Sequence, residues 1–217
     1  MTPSPNPAAL VVKVSRLRMN REELRLIADT LKQGGVIVYP TDTFYGLGAN
    51  CFSGKALQRV YRIKKRQPGK PFPVLISNLN MVMRLAAEMP SAFAPITAKF
   101  WPGPLTLVVK AASGLPAELV GAKWTIGIRL PAVPWLRELI RRAGFPLVAT
   151  SANISGEGEI DSAEEAIRQF KNKVDLIVDA GRTPGGRPST VLDLTRKRPV
   201  ILREGAITKA EIEEFLS

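Results

Sequence analysis

Helix-period stripes alternate with short apolar runs along this chain, and that alternation constrains its fold more than any other feature. Asn20 and Glu23 have the spacing of a capping box at a helix start, and apolar side chains recur at helical spacing over residues 24–31. The glycine pair at 34–35 ends that pattern, and residues 36–39 form an apolar run typical of a buried strand. Because similar pairs follow at short intervals, the sequence predicts the α/β (α+β) class with a mixed sheet.

The remaining elements are predicted from the same two patterns. Thr208 and Glu211 mark the start of the last helix. The other predicted helices cover residues 53–65, 81–88, 91–100, 134–142 and 162–171, and the other predicted strands cover residues 74–76, 105–110, 125–130, 146–149, 175–179, 190–194 and 200–203. Because no repeat or composition break divides the chain, we expect residues 20–217 to form a single domain behind an N-terminal leader, residues 1–19.

The amino-acid composition excludes several kinds of catalytic site. The 217 residues include no histidine, which excludes Ser-His and Cys-His nucleophile pairs, histidine bases and histidine metal ligands. Cys51 is the single cysteine, so an intramolecular disulfide is excluded and a reducing compartment is favoured. No apolar run reaches about 18 residues and residues 1–7 lack a signal-peptide pattern, so we expect a cytoplasmic location with no membrane contact.

The balance of charge points to partners that carry phosphate. The chain has 31 lysine and arginine residues against 19 aspartate and glutamate residues, a net charge of +12. No acidic residue lies between Asp42 and Glu88, although basic residues recur there, whereas a solvated helix face usually mixes the two signs. We therefore expect a nucleotide, an RNA or another anionic surface as partner. The alternative is a basic background that only aids solubility.

Four segments place small hydroxyl residues, glycines and basic groups at predicted strand ends or in loops. In residues 40–48, Thr43 and Tyr45 can present hydroxyl groups, and the glycines allow close approach to a ligand. The other three segments are residues 62–71, 149–156 and 181–190. Each segment also has a structural interpretation: hydroxyls that cap backbone groups in a turn, cations that offset a helix dipole, or an exposed hairpin.

The segment at residues 62–71 carries the groups best suited to a phosphate ligand. The Arg66 guanidinium can pair bidentately with phosphate oxygens, and Lys64 adds a compact charge near a predicted helix end. A triphosphate needs such groups where no phosphate-binding glycine loop is present.

Seven motifs occur in a fixed order along the chain. They are residues 40–48 (PTDTFYGLG), the pair Lys64 and Arg66 with residues 70–71, and residues 101–107 (WPGPLTL), 125–131 (TIGIRLP), 150–156 (TSANISG), 189–194 (STVLDL) and 201–205 (ILREG). Together they resemble the YrdC/TsaC family of threonylcarbamoyl-AMP synthases, over about residues 20–205. The resemblance implies an open twisted mixed sheet flanked by helices, a basic concave groove and the single-domain form of the family.

The resemblance implies that the chain is an adenylyltransferase. Members of the family convert L-threonine, bicarbonate and ATP to threonylcarbamoyl-AMP and pyrophosphate, with Mg²⁺ on the phosphates. This reaction is the first step in making threonylcarbamoyladenosine (t6A) in tRNA. Proteins that transfer the threonylcarbamoyl group to tRNA are then expected partners, and direct contact with tRNA or double-stranded RNA is a further expectation.

The resemblance also assigns roles to individual residues. The catalytic set is Lys64, Arg66, Ser151 and Asn153; the ATP-binding set is Arg66, Lys70, Thr125, Ser151 and Arg203; the substrate-binding set is Thr43, Arg129 and Ser189, with Tyr45 from the first segment. No residue is assigned to a metal. Two positions depart from the family pattern, because Lys70 stands where some members carry asparagine and Leu75 where some carry histidine.

Two other functions remain open at this point. A double-stranded RNA-binding or ribosome-binding module without catalysis would use the same basic groove on duplex backbone. A carbamoyl-adenylate-forming enzyme would share the fold with YrdC-like domains of hydrogenase-maturation carbamoyltransferases, which are much longer chains. Pyrophosphate release that depends on threonine distinguishes a threonylcarbamoyl-AMP synthase from both alternatives.

Overall fold

The computed structural model describes residues 8–15, 18–67, 69, 71–121 and 123–216, and these contain ten strands in one mixed sheet. The strands are β1 (Leu10–Lys13), β2 (Ile37–Pro40), β3 (Tyr45–Asn50), β4 (Val74–Leu75), β5 (Leu105–Lys110), β6 (Thr125–Arg129), β7 (Leu147–Ser151), β8 (Leu176–Asp179), β9 (Thr190–Asp193) and β10 (Val200–Arg203). Their order across the sheet is β1-β8-β2-β3-β7-β4-β6-β5-β9-β10. β8 runs parallel to β1 and β2, β4 to β6 and β5 to β9, and the other neighbours are antiparallel. The predicted class with a mixed sheet is therefore confirmed.

Helices cover both faces of this sheet. Within the described residues they are α1 (Arg21–Lys32), α2 (Gly54–Lys64), α3 (Phe93–Phe100), α4 (Pro134–Ala143), α5 (Ala163–Phe170) and α6 (Lys209–Leu216). The buried side chains of α1 and α4 pack on one face, and those of α2, α3, α5 and α6 pack on the other. None of the helices in these ranges is long and apolar enough to cross a lipid bilayer. Because both faces are covered, the central strands are nearly continuous apolar runs.

The end of α2 sets the position of the basic pair. Ser53 caps the start of the helix by accepting a hydrogen bond from the Ala56 amide at 3.3 Å. At the other end, Lys65 has a left-handed conformation with φ 49°, which stops the helix directly after Lys64. The Arg66 amide then donates to the Tyr61 carbonyl at 3.0 Å. The chain therefore leaves the helix with Lys64 buried and Arg66 turned toward the sheet.

The structure departs from the sequence predictions at two places. The expected N-terminal leader contains β1, whose residues Leu10–Lys13 pair in parallel with β8 at the sheet edge. Its apolar side chains stay half exposed, because the strand lies at the edge of the sheet and is not buried in its middle. The helix predicted over residues 81–88 is instead a 3-10 helix at Leu79–Arg84. The helix stops there because the Ala87 amide bonds to the Lys110 carbonyl at the end of β5.

The segment at residues 40–48 is only partly the predicted loop, because β3 begins within it at Tyr45. A Cβ atom on Gly48 would lie 2.8 Å from Tyr39 Cε1, and one on Gly46 would lie 3.2 Å from Tyr39 Cζ. These glycines leave room for the Tyr39 ring of the neighbouring strand. The expectation that they are there for close approach to a ligand is therefore wrong for Gly48, which supports packing inside the sheet.

We expect Gly48→Ala to destabilise the protein by about 1–3 kcal/mol, because the new methyl group overpacks the buried Tyr39 ring. The midpoint of urea unfolding measures this change. Gly54→Ala is the matched control, because its Cβ would have nothing nearer than Glu118 Oε2 at 3.8 Å. Equal unfolding midpoints for the two variants would show that Tyr39 does not fill the space above Gly48.

Candidate active site

A cavity of about 240 Å³ runs across the middle strands on the sheet face that carries α1 and α4. Side chains from seven strands line it, together with those of the loops beside them. The lining residues are Tyr39, Thr41, Thr43, Phe44, Tyr45, Gly46, Arg66, Pro73, Leu75, Thr106, Arg129, Ala149, Thr150, Ser151, Glu159, Pro188, Ser189 and Arg203. The structure thus brings together seven of the predicted site residues: Thr43, Tyr45, Arg66, Arg129, Ser151, Ser189 and Arg203.

The charge around this cavity is predominantly positive. Among the described lining residues, Arg66, Arg129 and Arg203 are cationic and Glu159 is acidic. Burial lowers the pKa of Arg66 and of Arg203, because a guanidinium loses hydration when it is covered. Both nevertheless stay charged at neutral pH, since an arginine pKa lies far above it. The cavity therefore suits an anionic ligand with several negative groups.

Lys64 lies beneath the cavity lining, with 2% of its surface exposed. Its ammonium donates to the Ser151 carbonyl at 2.6 Å, to the Asn153 carbonyl at 2.8 Å and to Asn153 Oδ1 at 2.8 Å. An ammonium group has three protons, so these three acceptors use all of them. Lys64 thereby fixes the turn that follows β7.

The same burial lowers the pKa of Lys64 to about 8, and the positive charge of Arg66 acts in the same direction. The negative charge of Glu159 opposes the shift. Three acceptors on one ammonium also favour its charged form, which keeps the proton in place at neutral pH. Lys64 is therefore a buried, charged group whose pKa lies close to neutral pH.

Ser151 and Asn153 are held by this arrangement. Ser151 Oγ donates to Asn153 Oδ1 at 2.7 Å, and Asn153 Nδ2 donates to the Glu157 carbonyl at 2.6 Å. The Ser155 amide returns to the Lys64 carbonyl at 2.9 Å. Ser151 lines the cavity, whereas Asn153 is buried and is not part of the lining. The two predicted residues thus occupy different layers, with Ser151 facing the ligand space and Asn153 supporting it.

Arg66 enters the cavity beside an aromatic ring. Its guanidinium lies 4.9 Å from the centre of the Phe72 ring, and Nη2 donates to the Pro71 carbonyl at 3.4 Å. Phe72 in turn packs against Tyr61 with ring centres 4.5 Å apart. This stack fixes the plane of the guanidinium, as a bidentate anion contact requires. Lys70, the neighbouring predicted ATP ligand, lies outside the described residues.

Arg129 is held by an aspartate that the sequence analysis did not select. Its Nη2 donates to both carboxylate oxygens of Asp42, at 3.2 and 2.9 Å, and its Nε donates to the Gly103 carbonyl at 2.9 Å. Its Nη1 has no protein partner in the described ranges and remains available to a ligand. The only sequence signal for Asp42 is its place in the PTDT motif, as the last acidic residue before the long basic stretch.

Ser189 and Arg203 form the far end of the cavity. Arg203 Nη2 donates to the Ser189 carbonyl at 2.8 Å and to Ser189 Oγ at 3.2 Å, and Ser189 Oγ lies 3.1 Å from Thr106 Oγ1. Pro188 lines the same end, so the segment at residues 181–190 contributes to the cavity through its last residues. Its Gly185 amide also donates to the Thr43 carbonyl at 2.7 Å. This segment is therefore attached to the cavity and is not a free hairpin.

Two predicted ligands occupy positions that differ from expectation. Tyr45 lines the cavity, but its hydroxyl donates to the Gly181 carbonyl at 2.9 Å and accepts from the Ala180 amide at 3.2 Å. The expectation that this hydroxyl faces a ligand is corrected, because it holds the chain after β8 and burial raises its pKa to about 12. Thr125 begins β6, four residues before Arg129, and is not part of the cavity lining. The sequence analysis also missed Tyr39 and Glu159, which line the cavity outside the hydroxyl and basic pattern.

Comparison with known proteins agrees with this arrangement. A family model named Sua5_yciO_yrdC and described as telomere recombination matches residues 29–205. The threonylcarbamoyl-AMP synthase of Pyrococcus abyssi is 36% identical over 93% of this chain and 59% of its own length. A protein of Methanocaldococcus jannaschii named putative threonylcarbamoyl-AMP synthase is 36% identical over 91% of this chain and 93% of its own length.

Solved structures share the fold. The structure of P. abyssi Sua5 complexed with L-threonine matches with a TM-score of 0.91 and 34% identity, and covers 96% of this chain and 61% of that one. Escherichia coli YciO matches with a TM-score of 0.82 and 29% identity over 91% of this chain and 96% of that one. The chain spans about three fifths of the length of the P. abyssi relative. On this sequence and structural similarity, the chain belongs to the Sua5/YciO/YrdC family.

Proposed function

We propose that this protein is a threonylcarbamoyl-AMP synthase, which joins L-threonine, bicarbonate and ATP and releases pyrophosphate. The observation that carries the proposal is the cavity itself, where three guanidinium groups and several hydroxyls surround one space on the sheet. The names of two relatives and the structure of P. abyssi Sua5 complexed with L-threonine support it. The reaction would be the first step of t6A synthesis, and a protein that transfers the threonylcarbamoyl group to tRNA would consume its product.

The groups in the cavity suit the two substrates. Arg129 offers Nη1 for the threonine carboxylate, and Thr43 lines the same cavity. Arg66 and Arg203 offer cations for the phosphates of ATP, and Ser151 offers a hydroxyl. We keep Lys70 as a proposed ATP ligand and Ser189 as a proposed threonine ligand. Thr125 is left out, since it lies outside the cavity lining.

The chemistry needs a carbamate and an in-line displacement. The threonine amine combines with bicarbonate to give a carbamate and water. A carbamate oxygen then forms a bond to the α-phosphorus of ATP, and the bond from that phosphorus to the bridging oxygen breaks, so pyrophosphate leaves with the electron pair. Since the chain has no histidine, the residues act by positioning the substrates and by stabilising charge on the phosphates.

Mg²⁺ enters this proposal as part of the nucleotide substrate. Among the described residues no three acidic or cysteine side chains cluster so as to hold a metal ion. Mg²⁺ commonly binds through substrate phosphates and water with few protein ligands. We therefore assign no reaction step to a metal held by the protein.

Lys64 acts through the residues it holds. Its three protons are directed to the Ser151 carbonyl and to two oxygens of Asn153, so none is left for a phosphate in this arrangement. We therefore propose Lys64 and Asn153 as positioning residues for Ser151, and Arg66 as the residue that touches the nucleotide.

Threonine-dependent pyrophosphate release tests the proposal. We expect purified protein with Mg·ATP and bicarbonate to release pyrophosphate only when L-threonine is present. Arg66→Met should lower kcat/KM by about 10- to 100-fold, because it removes a charge-assisted contact to the nucleotide. Arg62→Met, which removes an exposed arginine of α2, is the matched control and should keep the wild-type value.

Three results would contradict the proposal. Release that does not depend on L-threonine would exclude the threonylcarbamoyl reaction, and release that requires carbamoyl phosphate would indicate a carbamoyl-adenylate enzyme. No release under any condition, together with salt-sensitive binding of duplex RNA, would favour the non-catalytic module.

The buried ammonium of Lys64 predicts a pH dependence of stability. Its pKa is about 8 in the folded protein against an ordinary value of 10.5. Between these values the unfolded chain binds more protons, so rising pH favours the folded state. We expect the free energy of unfolding of the wild type, relative to Lys64→Met, to rise between pH 8 and 10 by up to about 1.4 kcal/mol per pH unit. Urea titrations at each pH measure the difference.

The exposed Lys55 on the same helix provides the control for this pH dependence. Lys55→Met removes the same charge, and we expect its difference from the wild type to stay flat over the same range. A flat difference for Lys64→Met as well would show that the pKa of Lys64 is not lowered by burial.

A further inference from the structure

Tyr39 places a buried hydroxyl with no partner at the cavity. The residue lines the cavity although its exposed fraction is 0%. Within the described part of the chain, its hydroxyl is the one buried cavity-lining polar side-chain atom that has no hydrogen-bond partner. A buried hydroxyl without a partner is costly, so such groups in native proteins usually belong to a ligand or water site.

The ring of Tyr39 is fixed by its neighbours. It lies over Gly46 and Gly48 on one side, where added Cβ atoms would come within 3.3 Å of its atoms. On another side Trp135 packs edge-on, with ring centres 6.4 Å apart and an angle of 82°. The hydroxyl therefore cannot swing away to find a protein acceptor.

The nearby hydroxyls are already occupied. Thr41 Oγ1 donates to the Phe44 carbonyl at 2.7 Å and lies 3.2 Å from Thr43 Oγ1. Ser189 Oγ lies 3.1 Å from Thr106 Oγ1. Tyr39 differs from these residues because the protein gives it no partner.

The surroundings of Tyr39 suit a neutral polar group. The apolar residues Leu75 and Ala149 also line the cavity and belong to the same packed cluster as Tyr39. Burial raises the pKa of Tyr39, so its hydroxyl keeps its proton, although the charge of Arg129 is near enough to act against that shift. The carboxylate of an amino acid is better placed on Arg129, and the phosphates are better placed on Arg66 and Arg203. The amine becomes the carbamate that must reach the α-phosphorus, so the β-hydroxyl is the polar group of threonine that is left for Tyr39.

We propose that the Tyr39 hydroxyl hydrogen-bonds the β-hydroxyl of the bound L-threonine, and that this contact makes Tyr39 a specificity residue against amino acids of the same shape without a hydroxyl. The inference rests on the proposed function, since it names the side chain that recognises one proposed substrate, L-threonine. L-Valine has a methyl group in place of that hydroxyl. Binding of L-valine would leave Tyr39 buried without a partner, and a site built to bond a substrate hydroxyl discriminates strongly against an analogue that lacks it.

Tyr39→Phe removes the hydroxyl and keeps the ring. Pyrophosphate release is measured with L-threonine, L-valine and L-serine as substrates, each with Mg·ATP and bicarbonate. We expect the ratio of kcat/KM for L-threonine over L-valine to fall about tenfold in Tyr39→Phe, and the ratio for L-threonine over L-serine to change less than about twofold, because L-serine keeps the hydroxyl. Thr30→Val removes a hydroxyl that bonds the Leu26 carbonyl within α1, outside the cavity lining, and it should leave both ratios unchanged.

Thermal unfolding adds a readout that does not depend on turnover. Because the hydroxyl has no protein partner, Tyr39→Phe should unfold at the wild-type temperature or slightly above it, while the stabilisation given by saturating L-threonine should be smaller than in the wild type. An unchanged L-threonine over L-valine ratio in an active, folded Tyr39→Phe variant would overturn the inference and leave the proposed function standing. A wild type without threonine-dependent release would overturn both.

Discussion

A buried ammonium group connects the end of α2 to the end of β7, and the geometry of the cavity depends on it. Lys64 donates three hydrogen bonds to Ser151 and Asn153. Ser151 is the last residue of β7, which lies in the middle of the sheet, and Asn153 follows it. Burying a charge is costly unless its partners replace water; these three acceptors replace part of that hydration, and the lowered pKa of Lys64 reflects the cost that remains. The left-handed residue after Lys64 then turns the chain so that Arg66 reaches the cavity. One lysine thus fixes a strand end, a turn and the direction of the neighbouring guanidinium.

The cavity combines fixed positive charge with limited mobility. Arg129 is held by the Asp42 carboxylate, Arg203 by the Ser189 carbonyl, and Arg66 by the Phe72 ring. Each guanidinium therefore has one part bonded to the protein and another facing the cavity. This arrangement lowers the entropy lost when an anion binds, because the side chains are already ordered. It suits a reaction in which the protein supplies position and charge and the substrates supply the reacting groups.

Much of the fold follows from local patterns in the sequence. The capping box at Asn20 predicts the start of α1, and the apolar runs predict buried strands that the structure contains. The strand β3 escaped prediction because its glycines look like loop residues, and contacts across the sheet with the Tyr39 ring and the Leu147 side chain explain them. Hydroxyl and basic motifs located most of the cavity. The partners of its side chains, such as Asp42 for Arg129, depend on contacts far apart in sequence, which no local pattern shows.

The central claim is that the adenylate formed here contains bicarbonate carbon joined to threonine. Mass spectrometry of the products made from L-threonine, Mg·ATP and ¹³C-labelled bicarbonate tests it most directly. The account predicts an AMP adduct that contains threonine and carries the label, with pyrophosphate as the second product. An unlabelled threonyl adenylate would contradict it, because the amine would then not have been carbamoylated. ADP and phosphate in place of AMP and pyrophosphate would also contradict it, because displacement would then occur at the γ-phosphorus.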